Sequence, residues 1–358
     1  MGSTGRIMEQ IGLLAEKNEW DSYIAHGHRY IAQSKLKDIS TGSIFDDYRN
    51  IAHSLITGKH GEGAKHTTQK LIKRIDDIKP DIIHLHNIHG YYINYPILFE
   101  YLNKSSIPVV WTLHDCWTIT GHCAHFVTAG CKKWKMGCYD CPLIKTYPKS
   151  LFLDRSKDNY EKKKHYFSQK TNLHIVVPSN WLKDIVKQSF LKDKSIEVIN
   201  NGIDLNVFKY TERETIDSRK KRILGVSGVW NEDKGFNDFL LLRKQLPVEE
   251  YDIVLVGLNK KQIESLPKDI IGIERTNSVN ELAELYSQAD VYVNVSHADT
   301  FPTTNLEALA CGTPVVTYRT GGSPEAIDEN TGIVVDKGDI DGIKNAILSI
   351  CEKGKDYY

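Results

Sequence analysis

Short apolar runs alternate with helix-patterned segments along almost the whole chain, and this restricts the fold more than any other feature. Asp81-Ile82-Ile83-His84-Leu85-His86 and Pro108-Val109-Val110-Trp111-Thr112-Leu113 read as strands, with helical patterns at 64–79 and 91–103. A helix at 156–168, a strand at 174–177, a helix from Ser179 and a strand at 196–199 continue the series. The later residues repeat it, with strands at 222–227, 252–257, 290–295 and 314–317 and helices at 235–246, 279–288, 304–311 and 341–352. Strands that are apolar throughout and are each followed by a helix are buried on both faces and pair in parallel. Nearer the start, an amphipathic helix from Ile7 and a short strand at 22–25 precede a polar stretch to about residue 63 that has no clear pattern. The expectation is an α/β chain.

A length of 358 residues exceeds what one hydrophobic core usually serves, so two domains are expected. The boundary falls near Asn201-Gly202-Ile203-Asp204, giving domains 1–202 and 203–358. The net charge of zero is a cancellation: 28 Lys/Arg against 20 Asp/Glu leave +8 before the boundary, and 18 against 26 leave −8 after it. Thirteen of the fourteen histidines precede the boundary. No apolar run is long enough for a membrane span and no signal peptide opens the sequence, which predicts a cytoplasmic protein. Two facing Rossmann-like domains are expected, with ligands off the C-terminal strand edges in the cleft between them.

Residues 297–325 concentrate the groups that can meet a ligand. Asp299 and Glu307 stand eight positions apart, across a loop containing Pro302 and the start of a helix, and Gly312-Thr313-Pro314 and Gly321-Gly322-Ser323-Pro324-Glu325 follow. Asp299 is placed at a strand end and Glu307 in the first helical turn. Two such carboxylates accept hydrogen bonds from vicinal sugar hydroxyls. The N–H groups of Thr303 to Asn305, without partners inside the helix, make an anion site. His114 follows the strand at 108–113, and His84, His86 and His89 lie similarly beyond Asp81 as candidate cleft-lining groups.

This stretch resembles the nucleotide-sugar motif of the family-4 retaining glycosyltransferases (glycosyl transferases group 1), which have the GT-B fold and serve bacterial cell-surface polysaccharide synthesis. Pro178-Ser179-Asn180-Trp181-Leu182, Asn201-Gly202-Ile203-Asp204 and Asp233-Lys234-Gly235 agree with it. The resemblance runs from Gly2 to about residue 350, and implies an acceptor-binding first domain and a nucleotide-sugar-binding second one. It implies that Glu307 binds the ribose hydroxyls, and that Asp299 with the backbone at Phe301, Pro302, Thr303 and Thr304 holds the donor sugar. Lys234 would contact the diphosphate and ease departure of the leaving group, and His114 would sit beside donor and acceptor. Gly2-Ser3-Thr4-Gly5-Arg6 is similar to the family's glycine loop, in which Gly2 and Gly5 let the backbone approach the donor.

Four departures accompany the resemblance. Asp299 stands where the family normally has Glu, and Gly228-Val229-Trp230-Asn231 lacks the Arg that usually precedes the Lys. The second cation would then come from Arg6 or Arg319. The strand expected before the glycine loop and the last helix, which crosses back to the first domain, are missing on this reading. The implied function is retaining transfer of a hexosyl-type unit from a nucleoside-diphosphate sugar to a glycan or lipid-linked acceptor, with no cofactor required for catalysis. An inactive nucleotide-sugar-binding protein and a nucleotide-sugar epimerase are the rivals.

Five of the seven cysteines fall in an insertion at 116–145. Cys123, Cys131, Cys138 and Cys141 fit a structural zinc site, and reduced thiols packing a loop are the alternative. Lys157, Lys162, Lys163 and Lys164, with Lys132-Lys133-Trp134-Lys135-Met136, predict a basic surface bearing an aromatic, suited to peripheral contact with an anionic membrane at the inner face of the plasma membrane. No nucleic-acid partner is expected.

Overall fold

In the computed structural model, which describes residues 2–27, 34–40, 42–212 and 220–358, the chain divides into two units, Met1–Asn200 and Asn201–Tyr358. The first opens with helix α1 (Ser3–Lys17) and two parallel strands, β1 (Tyr23–His26) and β2 (Lys37–Ser40). Helices α2 (Ile44–Thr57) and α3 (Lys65–Ile78) lead to β3 (Ile83–Leu85), α4 (Tyr95–Lys104) and β4 (Val109–Thr112). After the Cys-rich insertion come α5 (Ser156–Gln169), β5 (Leu173–Val177), α6 (Asn180–Val186) and β6 (Ser195–Val198). Strands β3 to β6 form a parallel sheet in chain order. Trp111 on β4 locks the helices onto it, its ring 4.9 Å from Phe167 of α5 and 5.4 Å from Phe99 of α4.

Two expectations change here. Ser3 to Arg6 form the first turn of α1, with the Arg6 N–H on the Gly2 carbonyl at 3.1 Å, so the expected glycine loop is a helix start capped by Gly2. The polar stretch holds β2 and α2; its residues 28–33 and 41 lie outside the described residues. Helix α2 starts on a capping box, in which Ser43 Oγ accepts from the Asp46 N–H and the Asp46 carboxylate accepts from the Ser43 N–H.

The second unit is a six-stranded parallel sheet. Its elements are β7 (Lys221–Val226), α7 (Phe236–Arg243), β8 (Tyr251–Val256), α8 (Lys260–Ser265), β9 (Ile270–Ile273) and α9 (Val279–Gln288). They continue with β10 (Val291–Asn294), α10 (Thr303–Ala310), β11 (Val315–Tyr318), β12 (Gly332–Val335) and α11 (Ile340–Lys353). The strand order is β12-β11-β10-β7-β8-β9. Ile223, Ile253, Leu255, Val291, Val293 and Val316 are buried between the helical layers, which accounts for the uninterrupted apolar runs. The order reverses between β7 and β10, so the connections leaving these strands diverge and open a crevice at their C-terminal ends.

Candidate functional site

The crevice is built from the segments that follow β7 and β10. After β7, residues Glu232–Lys234 make one turn of 3-10 helix, capped by Asn231, whose Oδ1 accepts from the Lys234 N–H at 3.0 Å. Gly235 follows at φ 71°, and a Cβ there would stand 2.3 Å from the Val295 carbonyl oxygen. This close approach holds Lys234 against the end of β10. Gly235→Ala is therefore expected to destabilise the unit by about 2–4 kcal/mol in urea unfolding, because left-handed strain adds to a backbone clash.

After β10, Lys234 Nζ donates to Asp299 Oδ2 at 2.7 Å, with the carboxylate largely buried and the ammonium about one-third exposed. The Asp299 carbonyl accepts from the Gly322 N–H at 3.2 Å. Gly321, at φ 54°, passes so near that a Cβ would overlap this carbonyl. The Gly-Gly pair thus lets one loop run against the backbone of another.

Pro302 caps α10, and its carbonyl takes the Asn305 N–H at 3.2 Å. The anion-binding donors expected at Thr303 to Asn305 therefore narrow to the first two. Glu307 lies in the second turn of α10 rather than the first, is 3% exposed, and accepts from the Tyr286 hydroxyl at 3.0 Å. Burial and the Glu307 carboxylate push the Tyr286 hydroxyl well above its ordinary range, so Tyr286 remains a donor. Phe301 is buried, and its carbonyl accepts from Asn201 Nδ2 at 3.2 Å. Asn294 Nδ2 donates to Asn305 Oδ1 at 2.8 Å, tying β10 to α10.

A further group was not singled out from the sequence. Asp238 of α7 accepts from the Tyr318 hydroxyl at 2.9 Å and pairs with His297 Nε2 at 2.7 Å, while the His297 N–H donates to the Asp233 carbonyl. These contacts brace the Lys234 turn against β10 and β11. Arg319, a candidate second cation, pairs with Asp336 at 3.1 Å, and Arg6 lies in α1 of the other unit.

In the first unit, His114 stands two residues beyond β4, with His86 Nδ1 at 2.9 Å from its Nε2. Burial holds His114 down to about 4 and His86 to about 2, so both rings are neutral at pH 7 and one donates to the other. His89 bridges Asp115 Oδ2 at 2.8 Å and the Tyr147 hydroxyl at 3.0 Å. Burial opposes ionisation of Asp115, but His89, His125 and the Trp117 N–H together hold the carboxyl at about 2. His84 Nε2 lies 2.8 Å from Thr112 Oγ1.

The expected basic surface is altered by packing. Lys163 is fully buried, Lys162 pairs with Glu62 at 2.7 Å, and Trp134 is 2% exposed and stacked on Phe126. Lys132, Lys135, Lys157, Lys164 and Met136 remain at the surface. The four cysteines expected to hold zinc line one cavity.

Residues 208–357 match the family described as Glycosyl transferases group 1, and residues 51–207 match Glycosyltransferase Family 4. The putative colanic acid biosynthesis glycosyl transferase WcaC of Escherichia coli K12 is 26% identical over 273 residues, covering 73% of this chain and 65% of that protein. A D-inositol 3-phosphate glycosyltransferase of Corynebacterium jeikeium is 28% identical over 193 residues, covering 47% and 46%. The chain thus spans less than two thirds of the length of these relatives. Sucrose-phosphate synthase from Thermosynechococcus elongatus superposes with a TM-score of 0.72 at 16% identity, over 99% of this chain and 86% of that one. HepE from Anabaena, solved with UDP and glucose, gives 0.62 at 15% identity, over 98% and 87%. The fold is GT-B. With both of its units matched in sequence, the chain belongs to the family-4, group 1 glycosyltransferases.

Proposed function

We propose that the protein is a retaining glycosyltransferase that moves a hexosyl-type unit from a nucleoside-diphosphate sugar to a glycan or lipid-linked acceptor. The observation that carries the reading is the Lys234–Asp299 pair at 2.7 Å, set at the strand-order reversal beside the start of α10, with buried Glu307 in the same helix. An arriving diphosphate competes for Lys234 and takes the N–H groups of Thr303 and Thr304. Asp299 then turns to the hydroxyls of the donor sugar, and Glu307 accepts from the ribose hydroxyls. As the glycosidic bond breaks, charge grows on the diphosphate, which Lys234 stabilises. The acceptor attacks on the face from which the diphosphate leaves, so the anomeric configuration is kept.

Support for the donor class comes from HepE, solved with UDP-glucose, and support for a polysaccharide acceptor from the name of WcaC. The first unit is assigned the acceptor, with neutral His114 hydrogen-bonding at the reacting sugar. Contact with anionic lipid at the cytoplasmic leaflet belongs to the same reading, through exposed Lys157, Lys164 and Met136. No helix among the described residues is long and apolar enough to cross a membrane.

The test is proton NMR on the chain mixed with UDP- and GDP-hexoses, without acceptor. Slow donor hydrolysis is expected, releasing sugar first in the donor's anomeric configuration. His114→Ala should lower this rate by about 10²-fold while nucleotide binding persists. Release in the inverted configuration, donor epimerisation without nucleotide release, or binding without any turnover would each overturn the reading.

A further inference from the structure

The insertion between β4 and α5 carries four cysteines that the transfer chemistry does not use, and the fold brings them to one place. Cys123, Cys131, Cys138 and Cys141 line a single cavity of about 10 Å³, together with His122 and Trp134. A cavity needs roughly 10–15 Å³ to hold one water, so this one has the scale of a single ion. All seven cysteines of the chain are free thiols, and Cys123 and Cys141 hydrogen-bond to each other.

Backbone donors meet two of the sulfurs. The Gly121 N–H donates to Cys138 Sγ at 3.1 Å, and the Leu143 N–H donates to Cys141. Such outer hydrogen bonds orient metal-binding sulfurs and spread their charge. The Trp134 Nε1–H is buried without a hydrogen-bond partner, on a ring that lines the same cavity. Lys163, fully buried, donates to the Trp117 and Thr120 carbonyls at 2.6 and 2.9 Å and lies 3.4 Å above the Trp117 ring. Burial pushes its pKa well below the ordinary lysine range, Cys138, Cys123 and Asp115 oppose that shift, and among the described residues no carboxylate forms a salt bridge with it. A buried ammonium is costly unless an anion faces it.

We propose that Cys123, Cys131, Cys138 and Cys141 bind one structural zinc ion that pins this insertion, with Lys163 offsetting part of its charge. Each thiol gives its proton to solvent and forms one S–Zn bond, so four thiolates around the dication leave two net negative charges beside the ammonium. Among the described residues no three such donors are yet gathered tightly enough to hold an ion. Loading therefore draws the loops at 121–143 inward, and protects them.

The test uses the full chain purified under reductant, with bound metal measured by mass spectrometry, then stripped and titrated with Co²⁺ alone. About one zinc per chain is expected, as a closed tetrahedral site requires. Co²⁺ should give the visible bands of a tetrahedral tetrathiolate, lost on adding Zn²⁺, with protease cleavage in 121–143 suppressed by either ion. Cys141→Ser should weaken and shift the bands, and Cys351→Ser should leave them unchanged. Absence of stoichiometric metal with no Co²⁺ bands, an iron–sulfur chromophore, or a Cys123–Cys141 disulfide would each overturn the proposal.

Discussion

Replacing Lys234 with Ala is expected to lower kcat for sugar transfer by about 10²–10³-fold, the usual effect of removing one group that stabilises developing charge. The ammonium reaches Asp299 at 2.7 Å, so the variant also leaves a largely buried carboxylate without its Lys234 partner beside an incoming anionic donor. Ground-state binding should therefore weaken too. Glu307→Ala should behave differently. Its carboxylate is 3% exposed and fixed by Tyr286, so truncation removes a charge-assisted bond to the ribose and strands the Tyr286 hydroxyl. A loss of about 2–4 kcal/mol in donor binding is expected, with a further 1–3 kcal/mol or so from stability. Glu307→Gln keeps an acceptor for Tyr286 and should recover the stability alone. Steady-state kinetics beside urea unfolding separates these effects: kcat together with KM for Lys234, KM and stability for Glu307.

The second large effect is acid destabilisation. Burial lowers His60 and His86 to about 2 and His114 and His122 to about 4. Two pairs are hydrogen-bonded, His60 Nε2 to His122 Nδ1 and His86 Nδ1 to His114 Nε2, both at 2.9 Å. Unfolded histidine binds a proton near pH 6.5, and the folded rings refuse it until pH 4 or below. The stability they contribute is thus fully present above 6.5 and is lost as pH falls toward 4. Each ring costs about 1.4 kcal/mol per pH unit in that window, and with coupling inside the pairs the loss between pH 6.5 and 5 should be about 4–6 kcal/mol. Urea midpoints across this range check it. His60→Gln and His86→Gln should flatten the slope, and a flat wild-type profile would show that the rings protonate inside the fold.

The alternation of strands and helices, and with it a parallel α/β fold, was legible because buried parallel strands are apolar throughout. Helix α9 was bounded at 279–288 by the spacing alone. Helix α2 was not, since its capping box uses Asp46 where Glu or Gln is the familiar partner. Strand β2 carries one apolar residue, and β9 and β12 are partly buried strands at the two edges of their sheet, so none of the three stood out as the central strands did. At the site, Asp299, Glu307 and Lys234 could be read from local motifs. The His297–Asp238–Tyr318 brace could not, because it joins residues 59 and 80 positions apart through folding alone. Lys163 and Trp134 misled for a different reason. A long amphipathic side chain reads as surface in sequence, while α5 turns Lys163 into the core, where carbonyls and a ring receive it.

On the proposed function, the strand-order reversal of the second unit binds the nucleoside diphosphate of a sugar donor. Calorimetric titration of the full chain with UDP and GDP, compared with Glu307→Gln and Lys234→Ala, tests it most directly. Saturable binding of one nucleotide per chain is expected, weakened at least about tenfold by each substitution, the equivalent of one lost hydrogen bond to a charged group. Nucleotide binding of unchanged affinity in both variants would contradict it.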